Sequence, residues 1–289
     1  MTVCYLCGSA SHVWRGNARD NAELAVLECT SCSLVFLSSS TSHIHPSHYA
    51  QSAMHGDHPP PIDAWLRDAA VDDERRFRWL EPRLVGKKLL DFGCGAGGFL
   101  LKARMLAADV SGVEPESRLH PHFTASRLRV FPGIDDVAQA SIGSFDLVTA
   151  FHVVEHLPDP RAMLIALAGL LKSDGELIVE VPNSEDALLK LYACDAFGKF
   201  TYWSQHLYLF NRRTLSELVR QAGLRLRWLR QVQRYPLSNH LHWLSRGKPG
   251  GHQQWAFIDS PGLGAAYEAQ LASLGQCDTL LAGIGRAAD

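Results

Sequence analysis

Asp91, Gly93, Gly95 and Gly98 lie in the run Leu89-Leu90-Asp91-Phe92-Gly93-Cys94-Gly95-Ala96-Gly97-Gly98, and their types and spacing describe a ligand-binding turn. Glycine admits left-handed backbone and lets a ligand approach the chain closely. Free N–H groups at the start of a following helix favour a negatively charged ligand group. The three glycines alone fit only the loose G-x-G-x-x-G dinucleotide pattern. Asp91 changes the chemistry, because its carboxylate would repel a pyrophosphate and would suit a ligand carrying an ammonium group. Glu114 ends the run Val110-Ser111-Gly112-Val113. It stands about 20 residues past the glycines, where an acid can accept hydrogen bonds from both hydroxyls of a ribose. A second set is Cys4-x2-Cys7 and Cys29-x2-Cys32. Two such knuckles place four thiolates for a closed, tetrahedral structural zinc ion, with two disulfides as the alternative. A third set is His152-Val153-Val154-Glu155-His156. It superficially matches an inverted zinc-protease signature. That signature needs helix faces to gather its ligands, whereas this segment starts at a strand end and is closed by Pro158 and Pro160, so no catalytic metal is expected from it.

These residues need elements to hold them. Leu89 to Asp91, Val110 to Glu114, Leu128 to Phe131, Phe145 to Phe151 and Glu176 to Val181 read as five strands, with a helix over Pro160 to Leu171. Strands alternating with helices imply a parallel sheet covered on both faces. Ligands of such sheets sit beyond the carboxyl ends of the strands, where Asp91, Glu114, Asp135 and His152 fall. Ile62 to Leu84 carries Trp65, Leu66, Phe77, Trp79 and Leu80 at helical spacing, for a helix that packs on the sheet or roofs the pocket. Ser38 to Pro61 is rich in Ser, His and Pro and reads as a linker. Arg212 to Ala222 reads as a helix stopped by Gly223, and Leu224 to Gln233 and Asp278 to Ile284 as the last two strands. About 45 residues separate those strands, too many for a turn. The insertion carries Tyr235, Asn239, His240, Trp243, His252 and Trp255, which suit stacking on a sugar ring and bonding its hydroxyls. Lys248 with Gly250 and Gly251 could approach a phosphate. A helical cap or a dimer surface is the other reading of the insertion.

The D-x-G-x-G-x-G run, the acids after the second and third strands, and the fourth-strand motif ending in Glu155-His156 resemble the class I methyltransferases that use S-adenosylmethionine. The resemblance covers roughly residues 87–235. It implies an α/β fold with a Rossmann-like, mostly parallel seven-stranded sheet and helices on both faces. To this are added a small zinc-ribbon-like module at residues 1–45, a linker and lid helix at 46–86, an insertion at 236–277 and a last core strand at 278–289. It implies that Asp91, Gly93, Cys94 and Gly95 surround the methionine part of the cofactor. Glu114 and Pro115 would then lie at the ribose, and Asp135 at the adenine amino group. Phe151 and His152 would face the transferred methyl, with Tyr49 covering the pocket. Asp135 can equally cap a helix, and Tyr49 can equally be a packing residue. In methyl transfer by in-line displacement, positioning supplies much of the rate, and a hydroxyl nucleophile gains by losing its proton as it attacks. Histidine suits that proton. His156 is the chosen general base with Glu155 supporting it, and His152 and His206 are further candidates; the Glu-His pair can instead serve the architecture of the cofactor pocket.

Composition bounds the partners. With 289 residues, 46% apolar and 20% charged, the chain has the make-up of an ordinary globular protein. A formal charge of −2 offers no basic field for nucleic acid. No stretch is long and apolar enough to span a membrane, and no secretory signal is evident, so a cytoplasmic location is expected. Cys94, Cys194 and Cys277 read as buried small apolar residues. Some small-molecule methyltransferases, including enzymes that modify sugars, are similar in carrying an N-terminal zinc module. The expected acceptor is therefore a hydroxyl of a sugar, nucleotide sugar or natural-product intermediate. A carbon of a keto sugar and ribosomal or transfer RNA are the alternatives. The charge and the lack of an Asn-Pro-Pro-Tyr motif after Phe151 oppose RNA. A non-catalytic binding protein is opposed by the intact glycine turn with Asp91 and Glu114. A homo-oligomer stays open.

Overall fold

The computed structural model describes residues 2–39, 49, 61–141 and 144–287. Most of the expected linker, residues 40–48 and 50–60, lies outside them. The strands are β1 (His12–Ala18), β2 (Asn21–Cys29), β3 (Val35–Leu37), β4 (Lys88–Phe92), β5 (Asp109–Val113), β6 (Arg129–Phe131), β7 (Phe145–Phe151), β8 (Leu171–Pro182), β9 (Tyr208–Leu209), β10 (Leu224–Val232) and β11 (Thr279–Arg286). Seven of them form one sheet in the order β10-β11-β8-β7-β4-β5-β6. Only β11 runs against its neighbours, β8 and β10. The apolar runs explain the centre of this sheet: Leu89, Leu90, Val148, Ile178 and Val179 are all fully buried, as helices on both faces require.

The chain leaves β4 toward β5 and β6 on one side, then crosses to β7 and β8 on the other. The crevice between the carboxyl ends of β4 and β7 is therefore the topological switch point, where α/β sheets bind ligands. Asp91 and Thr149 face each other across that seam in register.

The first half of helix Ile62–Leu84 lies at the carboxyl ends of these strands, where Trp65 and Arg76 line a cavity with Gly95 and Phe151, and its last turn reaches back to Glu176 of β8 through Arg83 at 2.9 Å. Helix Pro160–Gly169 starts on Asp159, whose carboxylate accepts the N–H of Ala162 at 3.0 Å. Helix Arg212–Gln221 starts on a reciprocal cap between Asn211 and Thr214. The insertion is helical, with helices Leu237–Arg246, Gly251–Gln254 and Pro261–Leu274. Cys94 and Cys277 are buried, as expected, whereas Cys194 is only half-buried.

The N-terminal module is stitched to the core. β1, β2 and β3 form an antiparallel sheet whose fourth strand, β9, belongs to the core segment after β8. The hairpin tip grips the same segment: Ser204 donates to Asp20 through its backbone N–H at 2.9 Å and its hydroxyl at 2.6 Å, and the Arg19 N–H donates to the Tyr202 carbonyl at 2.7 Å. Phe210, just past β9, is fully buried at this joint, and its carbonyl accepts the Ser184 N–H at 2.8 Å. Truncating it removes a ring from a site that cannot collapse freely. We expect Phe210→Ala to lower stability by about 3–5 kcal/mol, measured by urea unfolding.

Candidate functional site

The glycine turn after β4 is built for close approach. Gly93, Gly95 and Gly97 have φ of +75°, +54° and +78°, where side chains are strained. A Cβ on Gly93 would meet Val153 Cγ2 at 2.4 Å, and one on Gly95 would meet the Trp65 ring at 3.1 Å. Glu114 is pinned beside the turn, accepting the N–H of Gly95 and the N–H of Glu116, each at 3.0 Å. A cavity of about 500 Å³ opens there. Of the expected cofactor residues, Tyr49, Gly93, Cys94, Gly95, Glu114, Pro115, Phe151 and His152 line it.

Two expected residues do not line that cavity. Asp91 lies behind the glycine turn, buried, accepting the Thr149 hydroxyl at 2.6 Å. Burial pushes its carboxyl up to about 7. Asp135 is exposed in the first turn of the helix Ile134–Ser141, where an acid suits the helix dipole. Helix Ile62–Leu84 instead supplies Trp65, Asp72, Asp73 and Arg76 to the wall. Burial raises the Asp73 carboxyl to about 6.

A second cavity, of about 440 Å³, lies on the far side of His152. It is lined by Glu155, His156 and His206, by Trp203, and by Asn239, His240, Trp243 and His252 of the insertion. The two cavities share His152, His156 and Arg234 as wall residues. All four expected catalytic residues are thus brought together at the second cavity.

Each is held differently. His152 has a left-handed backbone, φ +54°, which a non-glycine residue adopts only under constraint. Its Nδ1 lies 3.2 Å from Glu155 Oε1, and its Nε2 lies 3.0 Å from Arg234 Nη1 and 3.1 Å from Glu180 Oε1. Burial and Arg234 press its pKa down, but Glu155 and Glu180 outweigh them and raise it. His156 Nδ1 lies 2.8 Å from the Gln205 carbonyl, so the hydrogen sits on Nδ1 and Nε2 keeps a lone pair. Burial lowers its pKa. His206 is driven down to about 3 by burial and then by His156. Glu155 is fully buried, yet the bond from His152 and the nearby imidazoles keep it below the ordinary carboxylate range. Arg234 joins the lid helix to this wall through Asp72, to which its Nε donates at 3.0 Å.

The four N-terminal cysteines also converge. Cys4 and Cys32 Sγ are 3.5 Å apart, as are Cys7 and Cys29, and all four sulfurs lie within 4.8 Å of one another. A tetrahedral ion with sulfur at about 2.3 Å sets its ligands about 3.8 Å apart, so the donor set and spacing fit one metal. All four are free thiols, far beyond disulfide distance.

Residues 65–228 match the family model described as a methyltransferase domain. The chain belongs to this family. Among its relatives, the ubiquinone biosynthesis O-methyltransferase of Thiobacillus denitrificans is 32% identical over 177 residues, 56% of this chain and 76% of the relative. The enzyme of the same name from Acinetobacter baylyi is 27% identical over 186 residues, 59% of this chain and 77% of the relative. Among solved structures, the 1,6-didemethyltoxoflavin-N1-methyltransferase of Burkholderia thailandensis aligns over 93% of this chain and 97% of its own, with a TM-score of 0.53 at 16% identity, a likeness of fold. The protein is an S-adenosylmethionine-dependent methyltransferase, with the Rossmann-like sheet that the glycine motif implied.

Trp65 was read in a helix that packs on the sheet or roofs the pocket; the wall residues that sequence reasoning missed are Asp72, Asp73 and Arg76, which precede the motif. Their only sequence signal is the adjacent acid pair in a helix already read as a roof. Burial raises the Asp91 and Asp73 carboxyls to about 7 and about 6. A cationic cofactor favours their ionised forms, so binding must expel protons below those values. Calorimetry in buffers of different ionisation enthalpy should find proton release on cofactor binding at pH 6, little at pH 8, and less in Asp73→Asn.

Proposed function

We propose that this methyltransferase transfers the methyl group to a hydroxyl of a small ring-shaped molecule seated in the second cavity. The observation that carries the reading is the wall of His152, His156 and Arg234 common to both cavities. A donor on one side and an acceptor on the other would meet there and nowhere else among the described residues. When bound, S-adenosylmethionine supplies the electrophilic methyl. The chain's residues do the rest. The glycine turn admits the donor, and Glu114, pinned by two backbone N–H groups, keeps lone pairs for ribose hydroxyls. Glu155, His156 and His206 face the acceptor and draw off its proton, with His156 the member that borders both cavities.

Relatives named O-methyltransferases favour oxygen over carbon or nitrogen as the acceptor atom. Trp243, Tyr235, Asn239 and His252 line the cavity with aromatic rings and hydrogen-bonding groups, the residue types that suit a sugar or nucleotide sugar. These residues lie outside the family's matched region, so they set a preference of this chain's own. We further propose that the four cysteines hold one structural zinc ion, which places the protein in a reducing compartment such as the cytoplasm. Among the described residues, no helix is long and apolar enough to cross a membrane.

Transfer of labelled methyl to a panel of sugars, nucleotide sugars and phenols tests the acceptor class; label appearing only on protein or RNA would refute it. With the acceptor found, His156→Gln should lower kcat about 10²- to 10⁴-fold and leave cofactor affinity intact. Metal analysis should return one zinc per chain for this site, lost in Cys29→Ser. The module holds the segment carrying Trp203 and His206, so zinc loss should raise the acceptor KM more than the cofactor Kd.

A further inference from the structure

Glu155 and His156 come from the turn after β7, and His206 comes from the loop before β9, 50 residues beyond His156. Each offers one ligand atom, and the three atoms lie within 4.8 Å of one another. Glu155 Oε1 takes the bond with His152, but its Oε2 is buried without a hydrogen-bond partner among the described residues. His206 Nδ1 is likewise buried and unpartnered. His156 spends its Nδ1 hydrogen on the Gln205 carbonyl, which can only accept, and turns its Nε2 toward Glu155 Oε1 at 3.9 Å, too long for a hydrogen bond. Three side chains with lone pairs to spare thus converge within 4.8 Å, and neither Glu155 Oε2 nor His206 Nδ1 meets a donor among the described residues. A carboxylate oxygen left so is costly unless a hydrogen or a cation reaches it.

We propose that Glu155, His156 and His206 hold a divalent cation of the first transition row, and that the acceptor's hydroxyl oxygen takes an open position on it. The second clause rests on the acceptor reading; the first does not. Two histidines and one carboxylate form a ligand set for zinc or iron that leaves positions open. The Gln205 carbonyl acts as the outer partner that fixes the tautomer and aims Nε2. Metal–ligand bonds of about 2.0–2.2 Å put ligand atoms about 3–4.4 Å apart, so the cluster need close by only a few tenths of an ångström. With the cation in place the three side chains act on the acceptor's proton through it and not as bases themselves: a hydroxyl bound to the cation gives up its proton to water more readily, and the oxygen keeps the electron pair that forms the bond to the methyl carbon. His152 is not a ligand, since Glu155, Glu180 and Arg234 occupy both its nitrogens. The set therefore differs from the H-x-x-E-H spacing that discouraged a metal on sequence grounds.

Co²⁺ titration of the protein carrying its cysteine-held metal, followed by visible absorption and calorimetry, tests the site. We expect one further equivalent, with the weak bands of nitrogen and oxygen ligation and no thiolate charge-transfer band. Glu155→Gln and His206→Ala should each lose it, while S-adenosylmethionine binding in the same samples stays intact and reports the fold. No further equivalent, or one that survives in both variants, overturns the cation site. No acceptor is present, so the two readings fail separately. Cobalt binding without methylation of any hydroxyl compound sinks the acceptor reading alone. Methylation in a protein that takes no cobalt sinks the cation site alone.

Discussion

The carboxylate of Glu180 is fully out of water at the end of β8, and the site is arranged around keeping it paired. A buried charge is tolerated only with partners that satisfy it. Arg75 and Arg76 reach it from helix Ile62–Leu84 at 2.9 and 2.7 Å, and His152 at 3.1 Å. Burial opposes its ionisation, but Arg76 and His152 hold it well below the ordinary carboxylate range. Removing one partner would leave an uncompensated charge, so the helix is fixed over the strand ends and His152 is fixed in its left-handed turn. Arg234 extends the network to Asp72. The wall between the two cavities is thus held together by electrostatics, whatever chemistry it serves.

Different parts of the chain build the two sides of that wall. The cofactor side comes mostly from the matched methyltransferase region, with Trp65 at its edge and Tyr49 and Arg234 added from outside it. The other side draws on parts outside it: Arg19 from the cysteine module and Asn239, Trp243 and His252 from the insertion. Arg19 is itself seated by the segment it supports, over the rings of Phe200 at 4.9 Å and Trp203 at 5.2 Å. The module and the insertion converge on one cavity from opposite ends of the sequence. On the proposed function, a cofactor chemistry common to the family would thereby be joined to a recognition surface that belongs to this chain.

The sheet and the glycine crevice were legible in the sequence because they depend on local rules. Apolar runs, left-handed glycines and an acid at a strand end state their requirements within a few residues. Helix Ile62–Leu84 emerged with the bounds its spacing gave. Contacts between distant segments were not legible. The pairing of β3 with β9 rests on two residue pairs, Val35 with Leu209 and Phe36 with Tyr208, which no periodicity marks. Asp73 enters the crevice only because Arg75 and Arg76 clamp its helix to Glu180. Asp91 was placed on the right strand end, but its bond to Thr149 turns it into the seam between β4 and β7. Asp135 followed the expected strand, yet the helix that starts beside it leaves the acid in solvent.

The account stands on the donor's reactive end lying against the wall that the cavities share. A crystal structure with S-adenosylhomocysteine tests this most directly. We predict its adenosine beside Glu114, its amino acid part along Gly93 and Gly95, and its sulfur facing His152 and His156 with the second cavity beyond. A product bound with its sulfur turned away from that wall, or bound outside the glycine crevice, would contradict the account.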